Sequence, residues 1–129
     1  MLEVLQLEAT RSTPEIIFNP ANHELSVRGQ SYPENSFKFY EPILQWVDTY
    51  LQSVGDEKVE IHFCLPYINT SSSKCIMMML EKFNKAYHDG KNLNLTWFCS
   101  EDNDSEIECA EEFQEDLDLP FQIIAQKEV

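Results

Sequence analysis

The architecture turns on one stretch, Val59-Glu60-Ile61-His62-Phe63-Cys64-Leu65, followed directly by Pro66-Tyr67-Ile68-Asn69-Thr70-Ser71-Ser72-Ser73-Lys74. Apolar side chains at 59, 61, 63 and 65 alternate with polar ones, which is the period of a half-buried strand. The following segment carries four consecutive hydroxyl side chains, from Thr70 to Ser73. Beyond it Ile76, Met79, Leu80, Phe83 and Tyr87 recur at helical spacing up to Gly90, a helix stop. Strand, polar turn and helix in that order form the first half of a parallel crossover.

The pattern repeats in both directions. Downstream, Leu93-Asn94-Leu95-Thr96-Trp97-Phe98 reads as a strand. An acidic helix with Ile107, Ala110, Phe113 and Leu117 follows, and Phe121-Gln122-Ile123-Ile124 closes the sheet. Upstream, Phe37, Tyr40, Leu44, Val47, Leu51 and Val54 share one helical face, with Ser31-Tyr32-Pro33-Glu34 at the start and Gly55 as the stop. Pro42 predicts a kink or a short turn before the main helix. Glu15 to Phe18, the turn at Asn22-His23 and Glu24 to Gly29 read as a β-hairpin. Leu2, Val4 and Leu7 suit a strand from Leu2 to Glu8. The order β-β-β-α-β-α-β-α-β predicts one α/β domain over residues 1–129, with a mixed sheet of about five to six strands and about three helices.

Composition narrows the function classes. The 129 residues hold 23 acidic and 9 basic side chains, a formal charge of −14. Such a surface repels phosphate backbones and anionic lipid head groups, so neither nucleic acid nor a membrane is an expected partner. No apolar run approaches the ~20 residues that span a bilayer. The first residues lack the basic and apolar regions of a secretion signal, which leads us to expect a cytoplasmic protein. Cys64, Cys75, Cys99 and Cys109 are scattered and form no metal-ligand spacing, so reduced thiols without a metal are expected. The acidic run from Glu101 to Asp118 reads as the solvated face of a helix, with docking of a basic partner as the alternative. It is no calcium loop, because Ile107 and Phe113 stand where glycine and glutamate are required.

The hydroxyl cluster is the leading functional candidate, since it follows a central strand at the edge where open α/β sheets place their sites. One of Asn69, Thr70 or Ser71 is expected to cap the helix. A phosphoacceptor is the alternative use: free N–H groups and the helix dipole favour a phosphate there. Ser31-Tyr32-Pro33-Glu34-Asn35 leads into the preceding helix and is expected to lie beside Thr70. A hydrolase or transferase using a hydroxyl or Cys75 as nucleophile would need an adjacent base. His23, His62 and His88 read as ordinary surface or sheet histidines, and no G-x-S-x-G elbow or glycine-rich phosphate loop is present. No cofactor is expected. A constitutive scaffold is the third reading and requires a buried Thr70.

Several strings together resemble one family: Arg11-Ser12-Thr13-Pro14-Glu15-Ile16, Gly29-Gln30-Ser31-Tyr32-Pro33-Glu34-Asn35, Phe39-Tyr40-Glu41-Pro42-Ile43 with Trp46, Tyr67 to Lys74, and Leu95-Thr96-Trp97-Phe98. In order and spacing they resemble the SiaC family of bacterial regulatory phosphoproteins, from about Thr10 to Phe121. The resemblance implies a STAS-like fold, as in anti-sigma-factor antagonists, and a non-enzymatic partner-switching module. It implies a dedicated serine/threonine kinase, a PP2C-type phosphatase, and a diguanylate cyclase or other signalling target bound by the unphosphorylated form. Carried over by motif, the acceptor is Thr70. Asn69, Ser71, Ser72 and Lys74, with Tyr32, Pro33 and Glu34, are the surface that partners would read.

Overall fold

Three helices alternate with the last four strands of a six-stranded sheet in a computed structural model that describes residues 2–127. Met1, Glu128 and Val129, the ends of the expected 1–129 domain, lie outside the described residues. The strands are β1 (Leu5–Leu7), β2 (Glu15–Asn19), β3 (Glu24–Arg28), β4 (Val59–Cys64), β5 (Leu93–Ser100) and β6 (Phe121–Gln126). The helices are α1 (Ser36–Ser53), α2 (Thr70–His88) and α3 (Asp104–Glu115). The strands lie side by side in chain order, antiparallel from β1 to β3 and parallel from β3 to β6.

That order decides where the helices go. Each crossover steps to the next strand in the same direction, and right-handed crossovers then place every helix on one face. Burial agrees. Val59, Ile61 and Phe63 of β4 are buried beneath the helices, whereas Glu60, His62 and Cys64 on the opposite face are half-exposed. The result is two layers, with one sheet face covered and one open.

The core lies between the layers. Ile16, Phe18, Leu25, Val27, Ile61, Leu95 and Trp97 from the sheet meet Tyr40, Ile43, Val47, Ile76, Met79, Phe83 and Phe113 from the helices. Trp97 stacks on Phe63 (5.0 Å between centroids), Phe113 (5.3 Å) and Phe121 (6.1 Å), which joins α3 to the sheet. On the open face Phe98 is half-exposed, in edge contact with His62.

Several local expectations are corrected. The first strand is short and takes the opposite phase. Leu5 pairs with Phe18 and Leu7 with Ile16, so these leucines face the core side and Val4 is 50% exposed. Cross-strand partners share a face, and buried Phe18 and Ile16 therefore choose Leu5 and Leu7 over Leu2 and Val4. Pro42 does not divide α1, which runs unbroken through it; both Pro42 and Lys38, whose carbonyl it leaves unpaired, are on the solvent side. Gly55 does not stop α1 in a left-handed turn. Extended Val54 (φ −71°, ψ 140°) ends the helix, and Gly55 N–H donates to the Glu57 carboxylate. Gly90, at φ +100°, does close α2 as expected. Phe37 and Tyr87, assigned to the buried helix faces, are 53% and 36% exposed, while Leu117 falls beyond α3.

The two-layer arrangement makes the faces of the sheet energetically unequal. Phe63→Ala should cost about 3–5 kcal/mol of stability in urea denaturation, the usual loss for a buried phenylalanine. Phe98→Ala, on the open face, should cost less than half of that. Equal losses would mean that the open face is covered as well.

Candidate functional site

After β4 the chain leaves the sheet edge through Leu65 and Pro66 and reaches α2 at Thr70. This connection does not hang free. Ser31 N–H donates to the Tyr67 carbonyl (2.8 Å) and Asn69 N–H donates to the Ser31 carbonyl (2.9 Å), a one-residue parallel bridge between Ser31 and Ile68. Tyr32 N–H donates to the Ser12 carbonyl (2.8 Å), which adds the loop before β2. The rings of Tyr32 and Tyr67 meet edge to face at 5.8 Å. Ser31-Tyr32-Pro33-Glu34-Asn35 therefore lies beside the Thr70 segment, as the sequence suggested.

Asn69 is the cap. Its extended backbone (φ −77°, ψ 171°) turns Oδ1 onto the Ser72 N–H at 2.9 Å, and Ser71 Oγ approaches the same oxygen at 3.4 Å. Asn35 caps α1 in the same way through the Lys38 N–H, one position beyond the expected start. Thr70 is the first helical residue and is exposed. A scaffold with Thr70 buried is thus excluded by its position.

Beneath the surface the hydroxyls form a chain. Tyr40 OH meets Ser31 Oγ at 2.6 Å, Ser31 Oγ donates to Ser72 Oγ at 2.8 Å, and Ser36 Oγ links Ser72 (3.1 Å) to Ser71 (2.7 Å). Ser31, Ser72 and Tyr40 are fully buried, and Ser36 nearly so. Burial pushes the Tyr40 phenol up to about 12, against a smaller opposing effect of its bond with Ser31. The network is therefore neutral near pH 7, and it fastens α1, α2 and both loops together. Ser72 and Pro33, expected on the surface read by partners, are buried and act from beneath. Asn69, Ser71 and Tyr32 are half-buried, and Lys74 and Glu34 are exposed.

Among the described residues, the groups bonded to these hydroxyls are other hydroxyls and the Asn69 side chain, not a histidine or a carboxylate. His23 bonds Tyr50 OH at 2.6 Å, His62 packs on Phe98, and His88 bonds Asp118 at 2.8 Å. Cys75 is fully buried, and burial pushes its thiol up, away from the reactive thiolate. Among the described residues no group of three His, Cys, Asp or Glu side chains is arranged to hold a metal ion. All four cysteines are free. The acidic residues from Glu101 to Asp118 are solvent-facing except buried Glu106, whose N–H donates to the Asn103 cap oxygen and whose carboxylate accepts from the Asn103 side-chain amide. A cleft of about 660 Å³ lies between the strand ends and α3, lined by Arg28, Cys64, Ser100 and Asn103, and does not include Thr70.

The sequence reading missed the apolar part of this surface. Tyr67 is 53% exposed beside Thr70. Phe37 and Met78 line a shallow groove of about 240 Å³ between α1 and α2. Helical periodicity assigned Phe37 inward, and only its place next to the Asn35 cap, at the frayed edge of the apolar stripe, hinted otherwise.

Fold and surface together define a class: a small α/β domain with a half-covered sheet, whose most elaborated feature is a capped, accessible helix start. The chain belongs to the SiaC family of regulatory phosphoproteins, whose family model matches residues 7–126. It is 37% identical over 124 residues to an uncharacterized protein of Pseudomonas aeruginosa strain UCBPP-PA14, covering 96% of this chain and 98% of that one. The crystal structure of apo-SiaC from Pseudomonas aeruginosa matches with a TM-score of 0.88 and 37% identity, over 95% of this chain and 98% of that one. A crystal structure of the diguanylate cyclase SiaD in complex with its activator SiaC, from the same organism, matches with a TM-score of 0.89 and 37% identity, over 95% and 99%. No helix among the described residues is long and apolar enough to cross a membrane.

Two outcomes test the site's construction. Asn69→Ala should lower stability by about 0.5–2 kcal/mol in thermal or urea unfolding, the usual cost of a lost cap. Tyr40 contributes an alkaline limb. Its pKa is higher in the folded state than in the unfolded one, so the folded state holds the proton longer. Its contribution is intact below pH 10 and falls by about 1.4 kcal/mol per pH unit as pH rises towards 12. Tyr40→Phe should make the fall shallower in that window by this one share, since burial also pushes Tyr50 and Cys99 up to about 12, and leave neutral-pH slopes unchanged.

Proposed function

We propose that this chain is a non-enzymatic cytoplasmic adaptor, switched by reversible phosphorylation of Thr70, whose unphosphorylated form binds and activates a diguanylate cyclase. The observation that carries the reading is the exposed hydroxyl of Thr70 at the first position of α2, beside the tied Tyr32 and Tyr67 rings. Membership in a family of regulatory phosphoproteins supports it. So does a relative that activates a diguanylate cyclase in a solved complex.

The mechanism is local electrostatics. Unphosphorylated, the surface formed by Thr70, Asn69, Ser71, Lys74, Tyr32 and Glu34 is polar with aromatic area, and a partner can desolvate it at modest cost. A phosphate on Thr70 adds ~1.5–2 negative charges. The first-turn N–H groups and the helix dipole stabilise that charge, so the fold survives modification. Burying the same dianion against a partner costs far more than burying a hydroxyl, and acidic partner groups are repelled. Ser72 and Pro33 support the surface from below. A serine/threonine kinase sets the switch, and a PP2C-type phosphatase resets it.

The test uses purified chain, cognate kinase and cyclase. Thr70→Ala should take up no phosphate and still stimulate cyclic-di-GMP synthesis. Stoichiometric phosphorylation of the wild type should weaken cyclase binding at least about tenfold, or 1.4 kcal/mol. Equal binding by the two forms would overturn the switch.

A further inference from the structure

The two edges of the sheet are built differently. β1 is only three residues long, a common protection of an edge against pairing. β6 has six residues, Phe121-Gln122-Ile123-Ile124-Ala125-Gln126, with no charge, proline or glycine. In a chain of formal charge −14 this strand carries no charge of its own, although the acidic α3 packs beside it, so like molecules meet here with less repulsion at low net charge or high salt. Ile124 is 39% exposed on it.

The backbone of β6 is half used. Leu95 N–H donates to the Pro120 carbonyl and Glu101 N–H to the Gln126 carbonyl, so even-numbered residues of this strand turn their polar groups towards β5. Odd-numbered residues turn theirs outward. The Phe121 carbonyl is taken by the Gln114 side chain at 2.8 Å. Ile123 and Ala125 are left with N–H and C=O groups directed away from the sheet.

We propose that β6 pairs antiparallel with β6 of a second copy of this chain, about a twofold axis through Ile124. The register follows from two constraints. Opposed residues must share a face of the joined sheet, and the Phe121 carbonyl is already bonded. Pairing Ile123 with Ala125 of the other copy, twice, satisfies both and uses the N–H and C=O groups of these two residues on each strand. Pairing centred on Ile123 instead would require the occupied Phe121, and pairing centred on Ala125 would set Ile123 against Lys127, which lies beyond the strand. On the open face the strand reads Gln122, Ile124, Gln126, the same in both directions. The twofold therefore sets Ile124 against its own copy and amide against amide. Because Phe98 is the β5 neighbour of Ile124, an apolar row would continue across the junction from one Phe98 to the other. The contact is isologous and closes as a dimer. Thr70 takes no part in this pairing, which stands or falls apart from the phosphorylation reading.

The test is the solution mass of the full chain by sedimentation velocity, from micromolar to millimolar concentration. The wild type should pass from 15.1 kDa towards twice that value. Added salt should strengthen the dimer by screening the net charge. Ala125→Pro removes an outward donor and leaves the β5 ladder intact, and Ile124→Glu sets two carboxylates at the axis; each should weaken dimerisation at least tenfold. In hydrogen exchange the Ile123 and Ala125 amides should gain protection with concentration, which reads the register directly even if one variant fails to fold. A wild type that stays monomeric, or a dimer retained in both folded variants, overturns the proposal. Protection of these amides only on adding the cyclase would assign the edge to a foreign strand and overturn it too.

Discussion

Every polar atom of Ser31 is bonded to the Thr70 connection or to its supports. Its N–H and C=O hold Tyr67 and Asn69, and its Oγ stands between Tyr40 and Ser72. Breaking that node would leave buried hydroxyls on Tyr40 and Ser72 short of partners, and an unsatisfied buried polar group costs about 1–3 kcal/mol. The Asn69 cap, the position of Thr70 and the Tyr32–Tyr67 contact all depend on the loop that Ser31 holds. The loop is thereby held in one conformation, and a mobile segment would instead have to be ordered at any encounter with a partner.

Element type and order were legible because the periodicities are clean. β4 alternates without interruption, and the apolar face of α2 ends at a glycine that does take the left-handed conformation. Errors arose where the local pattern was ambiguous and a tertiary contact decided. Leu2, Val4, Leu5 and Leu7 support either phase of a strand, and only the partners Phe18 and Ile16 select one. Pro42 carries an unfavourable helix propensity, but it and Lys38 lie on the solvent side, so the lost hydrogen bond leaves no buried carbonyl without a partner.

The site was legible as a motif more than as a surface. Their place between a strand and a helix marked Asn69, Thr70 and Ser71 alike as cap candidates, and only the family resemblance set Thr70 apart. Burial could not be read the same way: Ser71, Ser72 and Ser73 are chemically identical neighbours, yet one helical turn sends Ser72 into the core and leaves Ser71 at the rim. The buried Ser36–Ser72 contact joins residues 36 positions apart, and no local pattern announces it.

The strictly sequential strand order has a consequence for how the molecule comes to exist. Each strand after the first pairs on one side with the strand just before it in the chain, so no segment waits for a distant partner. The β2–β3 hairpin offers β4 an edge as soon as α1 has formed, and each later helix–strand unit adds to the one before. Such a sheet can grow in the direction of synthesis, its finished part covered at each stage by the helix just laid down. The last strand in this order then keeps an outer edge that no other described strand covers.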